Sequence, residues 1–475
     1  MKANIYILII GSVMLLSSCD KSIFEPKKID PVDPPVEPTQ EYLDSVNLTN
    51  KYIGKWIFSE MSKNYLWSDE MPESPDMSAA PATFYTNLLY EYGNTSGDRF
   101  SQIVNVANVN NTPQAGYDYV FLSTVGSQYI YAYINYVVEG SPAESAGIKR
   151  GDIFLRVNGV KLTRSNYSGL MQEMASTHTL TRGSITENNS LIDADDVTVS
   201  VGYVQDDPIF LEKIHTIDGK KIAYLVYNSF TPDNGDGSLE YDRLLNAIFG
   251  KFKTEGVTDL VLDLRYNGGG VLSSATNLAS MITSMDNVGK VFMNRTYNNN
   301  LQKEYLNKYG EEYFIDRFVG SVNGENKNHL GLNKLYVLVS YRTASASELI
   351  INGLKPYLDV VLIGRDKTVG KNVGALVVNP TDVRIPWTLH PIIVKISNSE
   401  NYSDYANGFT PDIYENEYDI KDPKALGDVN EKLLSKALSD ITGTVKNMRF
   451  GMDIPIEVLK TQLPNRYKNN VYINK

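Results

Sequence analysis

The amino-acid sequence predicts an α/β protein with several domains. Three observations support this class: strand-like and helix-like runs alternate from about residue 208 to 416, a stretch with strand-like alternation precedes them, and a helical pattern comes before both. Of the 475 residues, 42% are hydrophobic and 21% are charged, which provides enough apolar material for packed cores. The composition therefore excludes a disordered or fibrous chain.

Charge and composition also narrow the range of partners. The chain has 56 acidic and 45 basic residues, a formal net charge of −11. Because binding to phosphates needs clustered lysine and arginine, and the sequence has no such cluster, we do not expect nucleic acid as a partner. The sequence also has no histidine or carboxylate cluster with metal-ligand spacing, and we expect neither a metal nor another cofactor.

Residues 1–19 have the pattern of an export signal. Lys2 precedes a short apolar run, residues 5–16, and a pair of serines then leads to Cys19, the single cysteine. The run is too short to span a bilayer permanently. The segment resembles a bacterial lipoprotein signal, which implies that Cys19 is lipidated and anchors the protein in the cell envelope, outside the cytoplasm. An ordinary secretory signal is the alternative.

Two segments of contrasting composition come next in the chain. Residues 20–42 combine prolines with acidic residues and contain little to bury, a pattern typical of an extended spacer. From residue 43 to 99, large apolar residues recur at three- and four-residue steps, as in Trp56, Ile57 and Met61. We expect a small helical segment with a structural role in this region.

Residues 100–205 are predicted to form a β-rich domain. Within it, residues 137–159 contain in order a strand, a short helix that opens at Ser141, a glycine turn, a second strand and the turn Asn158-Gly159. This order closely resembles the middle of a PDZ domain of the bacterial protease type. Any small β-barrel with such a hairpin is the alternative.

The resemblance to a PDZ domain also implies a place for a peptide. PDZ domains bind chain ends by adding a strand to a sheet edge and capturing the carboxylate on backbone N–H groups. The candidate loop begins at residue 115, and Gly116 and Tyr117 are its candidate peptide-binding residues. The acidic Asp118 beside them would work against the binding of a carboxylate.

Residues 206–416 are the predicted α/β core, and its first notable segment is rich in glycine. Residues 262–270 read Leu-Asp-Leu-Arg-Tyr-Asn-Gly-Gly-Gly, a buried strand that leads into three glycines and then a helical stretch. Glycines at a strand-to-helix turn let the backbone approach a ligand closely and point N–H groups at a developing negative charge. A plain tight turn is the alternative, and the nucleotide-binding glycine motifs are not satisfied.

The second notable segment places small residues and serines directly after a strand. Residues 341–350 read Tyr-Arg-Thr-Ala-Ser-Ala-Ser-Glu-Leu-Ile, so that a serine hydroxyl can be presented at a helix N-terminus, where N–H groups and the helix dipole stabilise an oxyanion. Serine at a helix start is otherwise usually a cap. The interpretation depends on a third, later segment, Val-Gly-Lys at residues 369–371.

Together these segments resemble the C-terminal-processing (tail-specific) family of serine peptidases. The resemblance covers the helical cap, the PDZ insertion and the core in the same order, nearly the whole chain after the signal. It implies a ClpP/crotonase-like core of β-β-α units, with Ser345 as nucleophile and Lys371 as general base. It also implies an oxyanion hole made by the N–H of Ala346 and that of Gly268 or Gly269.

The chemistry of this family needs these residue types. A serine attacks only when a base takes its proton, and a lysine can be that base only if burial lowers its pKa toward neutrality. Lys371 has apolar neighbours, whereas the rival Lys367 is expected in solvent. Glu348 either assists at the helix start or is a plain cap. The family often has a glutamine four residues after the lysine, where this chain has Ala375.

The resulting hypothesis is a membrane-tethered serine endopeptidase that hydrolyses protein substrates near their C-termini. Ala375 keeps a second hypothesis open, a weak or inactive relative that binds peptides with its PDZ domain and core groove. A crotonase-type enzyme of acyl-CoA would have no reason to carry a PDZ insertion. Residues 417–475 complete the chain with one helix, near residues 429–441, and a weakly patterned tail.

Overall fold

The structure is a computed structural model that describes residues 40–106, 113–188, 190–205, 207–322, 324–444 and 456–459. The chain divides into two compact units, Met1–Asn47 and Leu48–Lys475, and the second unit contains the sheets and the candidate site. The predicted signal with Cys19 and most of the predicted spacer lie outside the described residues.

The described residues form helices and strands along most of their length. The helices are α1 (Gln40–Asn64), α2 (Pro81–Asn87), α3 (Pro142–Ser145), α4 (Tyr167–Glu173), α5 (Glu240–Glu255), α6 (Leu272–Ile282), α7 (Asn299–Tyr309), α8 (Ala346–Leu354) and α9 (Lys432–Thr442). The strands are β1 (Gln102–Asn105), β2 (Tyr117–Thr124), β3 (Tyr131–Val137), β4 (Ile153–Val157), β5 (Val160–Lys161), β6 (His178–Ile185), β7 (Leu191–Val199), β8 (Ile209–Ile217), β9 (Lys220–Tyr227), β10 (Asp259–Asp263), β11 (Val291–Tyr297), β12 (Ile315–Arg317), β13 (Ser321–Val322), β14 (Glu325–Asn326), β15 (Lys334–Val339), β16 (Asp359–Gly364), β17 (Val373–Ala375), β18 (Trp387–His390), β19 (Ile392–Ser397), β20 (Ile413–Tyr414) and β21 (Ile456–Leu459). No helix in this described part of the chain is long and apolar enough to cross a membrane.

A six-stranded sheet forms the centre and confirms the predicted α/β class. Its strand order is β20-β16-β15-β10-β9-β8, and neighbouring strands are parallel except for β8 and β9. Alternate side chains of β9 belong to two separate hydrophobic cores, one shared with α5, α6 and α8 and the other with α9. Because β10 and β15 are parallel neighbours, the loops after them begin side by side at one edge of the sheet.

The β-rich domain is built on a separate sheet with the order β21-β2-β3-β4-β6-β7, and β5 lies beside β4. Leu170 of α4 is buried in its core. The hairpin turn Asn158-Gly159 has positive φ at both residues, 49° and 77°, as a type I′ turn requires. At the start of α3 the Ser141 hydroxyl accepts the Glu144 N–H at 3.2 Å. These features are those that the sequence predicted for a PDZ domain.

Two strands pair with partners that the sequence did not indicate. β1, from the beginning of the predicted β-rich domain, pairs antiparallel with β18 of the core. β21, from the tail that was predicted to have little pattern, pairs antiparallel with β2 at the edge of the PDZ sheet. The alternation of side chains in a strand indicates which of them are buried, but it does not indicate which strand supplies the hydrogen bonds.

The N-terminal helical segment packs on the core, as expected for a structural role. Ile57 and Met61 of α1 and Phe84 of α2 form a buried cluster with Leu389 of β18. The chain then continues through residues 98–101 to β1, and Arg99 in this stretch bonds to the loop that contains Lys371. The helical segment therefore also supplies one wall of the candidate site.

A four-stranded sheet, β12-β11-β19-β17, completes the core. β17 pairs antiparallel with β19, and the register shifts by one residue between Gly374 and Ala375. Lys371 lies two residues before β17. The pairing of β17 consequently fixes the backbone position of the lysine.

Candidate active site

The glycine-rich loop after β10 is organised by the side chain of Asn267. This amide is fully buried, and its Nδ2 donates to the carbonyl of Tyr227 at 2.7 Å, while its Oδ1 accepts the N–H of Gly269 at 2.8 Å. The backbone carbonyl of Asn267 accepts the N–H of Ala344 at 3.2 Å and the hydroxyl of Ser347 at 3.1 Å. Asn267 thus joins the glycine loop to the serine turn, a role that its position in the motif alone did not indicate.

Ser345 lies at the turn between β15 and α8 in a strained conformation. Its φ is 64° and its ψ is −114°, a region that non-glycine residues rarely occupy. Such a conformation costs on the order of 1–3 kcal/mol and persists where the surrounding structure enforces it. The residue is only 3% exposed, and its Oγ has no hydrogen-bond partner within the described ranges. The hydroxyl is therefore held at the start of α8, buried and without a hydrogen-bond partner among the described residues.

The buried carboxylate of Glu348 connects the serine turn to the lysine loop. Its Oε2 accepts the N–H groups of Ser345 at 2.9 Å and of Lys371 at 2.7 Å. Its Oε1 accepts the hydroxyl of Thr368 and the N–H of Gly370, each at 2.6 Å. Because one oxygen binds both backbone nitrogens, Ser345 and Lys371 are brought together. Burial raises the pKa of Glu348, and these four hydrogen bonds oppose that shift.

Lys371 is buried, with 7% of its surface exposed, and its Nζ lies 5.3 Å from the centroid of the Phe100 ring. Burial lowers its pKa from 10.5 to about 8, although the charges of Asp98 and Glu348 act in the opposite direction. A lysine with such a pKa is partly neutral near neutral pH and can accept a proton. The rival Lys367 is exposed.

Residues 98–101 contribute to the site, and no sequence signal had singled them out. The Arg99 guanidinium donates to the carbonyls of Gly370 at 2.9 Å and of Ala406 at 2.7 Å. The Ser101 hydroxyl accepts the N–H of Ile392 at 2.9 Å. Asp98 is fully buried, and its charge acts on Lys371. The end of the helical segment thereby fixes the lysine loop and sets part of its electrostatic environment.

The geometry distinguishes between the candidate oxyanion donors. The N–H of Gly269 is already bonded to Asn267, so it is not available. The N–H of Ala346, at the first position of α8, and that of Gly268 have no acceptor within the described ranges. Gly269 instead provides space, because a Cβ built on it would lie 2.7 Å from the Cβ of Ser345. Its φ of 107° also favours glycine.

Two positions near Lys371 bear on its orientation and charge. Ala375, which the sequence has where the family often has a glutamine, is fully buried in β17 and has no polar group to orient the lysine. The pKa of His390 is lowered, first by burial and then by the charge of Lys371. His390 therefore lies within electrostatic range of that lysine. Nothing in the sequence around His390 had indicated this proximity.

The candidate peptide-binding loop of the PDZ domain lies at the start of β2. Gly116 has a φ of 87°, and a Cβ on it would lie 2.2 Å from that of Ser141. The Tyr117 side chain is directed inward, where its hydroxyl lies 2.7 Å from Nε2 of His178. Neither residue therefore offers a side chain to a ligand.

Asp118, which was expected to repel a carboxylate, is buried and paired. Its Oδ1 accepts from the Arg342 guanidinium at 2.6 Å and from the Asn135 amide at 2.6 Å. Arg342 also donates to the carbonyl of Tyr119 at 2.8 Å. The PDZ strand β2 is thus joined to the turn that carries Ser345, and the charge of Asp118 is compensated.

No group of three or more histidine, cysteine or carboxylate residues in the described part of the chain could hold a metal ion. The chemistry available at the site is that of a serine hydroxyl, a lysine of lowered pKa and two open backbone N–H groups.

Comparison with known proteins identifies three regions of the chain. Residues 221–414 match the model of peptidase family S41, residues 52–102 match the S41 N-terminal domain, and residues 133–181 match the PDZ domain. A crystal structure of a protein assigned to the S41 proteases, from Bacteroides fragilis, is 32% identical, with a TM-score of 0.68. The similarity covers 82% of this chain and 97% of that chain.

Curated relatives match a smaller region. A "Probable CtpA-like serine protease" of Staphylococcus aureus is 29% identical over 242 residues, which cover 50% of this chain and 41% of the relative. A "Carboxyl-terminal-processing protease" of Picosynechococcus is 26% identical over 238 residues, 49% of each chain. The chain thus matches less than half of the length of these two relatives.

Proposed function

Because the chain belongs to peptidase family S41, as its motifs predicted, we propose that it is a serine endopeptidase with a Ser345–Lys371 dyad. Its substrates are protein chains, cut near their C-termini, in keeping with the name of the Picosynechococcus relative. The observation that carries the proposal is the buried Ser345 hydroxyl, which has no partner in the described structure and lies at a helix start. The carboxylate of Glu348 joins the backbone of Ser345 to that of Lys371, whose pKa burial lowers to about 8.

The dyad would act in two steps. Neutral Lys371 takes the proton of the Ser345 hydroxyl as its oxygen attacks the scissile carbonyl carbon, and the N–H groups of Gly268 and Ala346 bind the resulting oxyanion. The C–N bond then breaks, the lysine returns the proton to the leaving amine, and an ester to Ser345 remains. Lys371 then takes a proton from water, whose oxygen attacks the ester carbonyl. The bond between the acyl group and the Ser345 oxygen breaks, the lysine returns the proton to that oxygen, and the acid product leaves as a carboxylate after losing its own proton to solvent.

Labelling by a serine-reactive fluorophosphonate tests the proposal directly. We expect the wild-type protein to be labelled and to cleave an unfolded protein, and the Ser345→Ala variant to do neither. The Lys371→Ala variant should lose nearly all cleavage as well, because base and nucleophile act as a unit. Lys367→Ala is the matched control and should retain activity, since that side chain is exposed.

The same experiment separates the second candidate function, a peptide-binding protein with little or no activity. Ala375 favours this candidate, because it cannot orient Lys371 as a glutamine would. Absent labelling and cleavage, together with retained binding of peptides, would support the binding protein. Loss of activity in Lys367→Ala but not in Lys371→Ala would instead show that the base is misassigned.

We also propose that Cys19 carries a lipid that attaches the protein to a membrane of the bacterial cell envelope. The support is the sequence alone, in which the single cysteine comes directly after a short export signal. Cell fractionation of the wild type and of Cys19→Ser tests it. The wild type should sediment with membranes, and the variant should appear in the soluble fraction or remain unprocessed. Identical fractionation with normal processing would contradict the lipid anchor.

A further inference from the structure

The outer edge of β2 is occupied by a segment of the same chain. β21 pairs antiparallel with β2, from Ile456 opposite Thr124 to Leu459 opposite Phe121. Without β21, β2 would be the edge strand of the PDZ sheet, since the order is β21-β2-β3. An added antiparallel strand at this position is how a peptide binds when it extends a sheet.

The side chains of the segment make the contacts of a bound peptide. Glu457 forms a bidentate ion pair with Arg164, whose two terminal guanidinium nitrogens donate to Oε1 at 3.2 Å and to Oε2 at 2.5 Å. Leu459 packs against the PDZ core cluster that includes Leu170 of α4. Arg164 is itself positioned by the carbonyl of Ser127, to which its Nε donates at 2.9 Å.

The other side of the segment touches the core of the molecule. Ile456 and Val458 pack on a cluster formed by β2, β3 and β4 together with Tyr418 and Ile420. The Arg365 guanidinium donates to the carbonyl of Ile456 at 3.1 Å. The segment therefore lies between the PDZ sheet and the loop that leads from β16 to Lys371.

The interactions that keep Ile456–Leu459 paired with β2 are weak. None of its four residues is fully buried. Its ion pair is half-exposed, with 37% and 47% of the two side chains accessible, and solvent screens such pairs so that they contribute little to stability. A peptide with the same pattern of apolar and acidic residues could therefore compete for the edge.

We propose that the chain inhibits its own PDZ domain: the segment Ile456–Leu459 occupies the outer edge of β2, where a PDZ domain adds a peptide strand, and a protein substrate binds there only by displacing this segment. The site selects an acidic residue opposite Arg164 and an apolar residue two positions later, against the α4 face. The statement about substrate rests on the proposed peptidase function, whereas the statement about peptide binding does not.

The test uses the full chain with Ser345→Ala, so that the probe is not cut. The probe is a fluorescein-labelled peptide with the sequence of residues 453–461, Asp-Ile-Pro-Ile-Glu-Val-Leu-Lys-Thr, and its binding is measured by fluorescence anisotropy. Adding Glu457→Lys and Leu459→Asp to the chain weakens the internal segment, and we expect the probe to bind at least tenfold more tightly. Glu312→Lys is the matched control, because it breaks a similar exposed pair with Arg317 on the core.

A charge swap tests the selectivity. A probe with lysine in place of its glutamate should bind the weakened chain less tightly, and Arg164→Glu should restore its binding. Equal binding of the first probe to the intact and weakened chains, or no binding to either when both unfold at the same temperature, would overturn the proposal. If the probe binds as expected but the wild type is not labelled by fluorophosphonate, the peptidase function fails while the peptide site stands.

Discussion

The charge on Lys371 is controlled by its burial and by two carboxylates from other parts of the chain. Burial lowers its pKa to about 8, and the carboxylates of Asp98 and Glu348 raise it. Because only the neutral amine can take the proton of Ser345, we expect kcat/KM to rise with pH and to level off above about 8. Asp98→Asn should shift this rise to lower pH, since it removes one of the two opposing charges.

Asp98→Asn should preserve the local structure around residue 98. Oδ1 of Asp98 accepts the N–H groups of Phe100 at 2.8 Å and Ser101 at 2.9 Å, and an asparagine oxygen can keep both bonds. Initial rates on one peptide substrate between pH 6 and 10 are the measurement. A rate profile that is flat with pH would contradict the role of Lys371 as the base, and a profile that does not move in Asp98→Asn would contradict the effect of Asp98 on the pKa of that lysine.

The same lysine should reduce the stability of the fold near neutral pH. Its folded pKa of about 8 lies below the unfolded value of 10.5. The unfolded chain therefore binds more protons between these values, and stability rises with pH through that window. At pH 7 the cost is roughly 3 kcal/mol, from about 1.4 kcal/mol per pKa unit. Lys371→Met should accordingly stabilise the inactive protein.

Urea unfolding at pH 7 and pH 10 measures this effect. The advantage of Lys371→Met over the wild type should be largest at pH 7 and should shrink toward pH 10. Lys367→Met serves as the control and should change little, because that side chain is exposed. A Lys371→Met protein that is less stable than the wild type at pH 7 would show that the lysine is well compensated.

Some residues of the candidate site could be predicted from the sequence and others could not. The roles of Ser345 and Lys371 were implied by the family resemblance of short motifs, and the chemistry restricts the residue types at these positions. Asp98, whose charge acts on Lys371, and His390, on which the charge of Lys371 acts, were missed, because no local sequence pattern records proximity in the fold. The choice of Gly268 over Gly269 needed the hydrogen bond made by Asn267.

At the scale of elements, the start of α8 depends on Glu348. This residue was predicted either to assist at the helix start or to cap it, and its carboxylate accepts four hydrogen bonds that join α8 to the lysine loop. Glutamine would replace one of the two acceptor oxygens by an NH₂ group, which would then face N–H or O–H donors. We expect Glu348→Gln to destabilise the protein by about 2–4 kcal/mol, because buried donors lose their acceptor, and to lower kcat more than it raises KM.

Thermal unfolding and steady-state kinetics check this prediction, and Thr368→Val provides the comparison. That variant removes one of the four bonds and also the bond that the Thr368 hydroxyl accepts from the N–H of Phe409 at 2.8 Å, so we expect it to cost no more than Glu348→Gln and to cause a smaller loss of kcat. If Glu348→Gln unfolds at the wild-type temperature with full activity, Glu348 does not hold the two segments together.

The elements themselves were largely predictable where their hydrophobic period is strong. The strand before the glycine loop was expected over residues 257–264 and is observed as β10, Asp259–Asp263, while the last helix was expected near residues 429–441 and is observed as α9. The partners of β1 and β21 could not be predicted, because they join segments separated by hundreds of residues. Pairing between distant segments leaves no periodic trace in the sequence.

At the scale of the whole molecule, a buried charge cluster joins the PDZ domain, the core and the C-terminal part. Arg150 from the PDZ domain and Arg265 from the glycine loop both contact Glu431, at 3.3 Å and 2.7 Å. Arg265 also pairs with Asp263 at 2.9 Å and lies 3.6 Å from Glu417. The sequence did not reveal this cluster, whose charges become neighbours only in the fold. It ties the position of the PDZ domain to the loop that holds the proposed oxyanion donor.

Glu431 at the centre of this cluster should make the fold sensitive to acid. Burial raises its pKa, but the charges of Arg265 and Arg150 outweigh this and lower it to about 2. Since the unfolded value is 4.5, the contribution of Glu431 to the stability of the fold is present above pH 4.5 and is lost as the pH falls toward 2.

Glu431→Gln leaves the guanidiniums of Arg150 and Arg265 without this carboxylate and should lower the free energy of unfolding by about 3–5 kcal/mol at pH 7. The difference in stability from the wild type should shrink between pH 4.5 and pH 3. Urea unfolding across this range measures it, with Glu312→Gln, from an exposed pair with Arg317, as the control. A difference that stays constant with pH would mean that Glu431 contributes through packing and the α9 cap rather than through its charge.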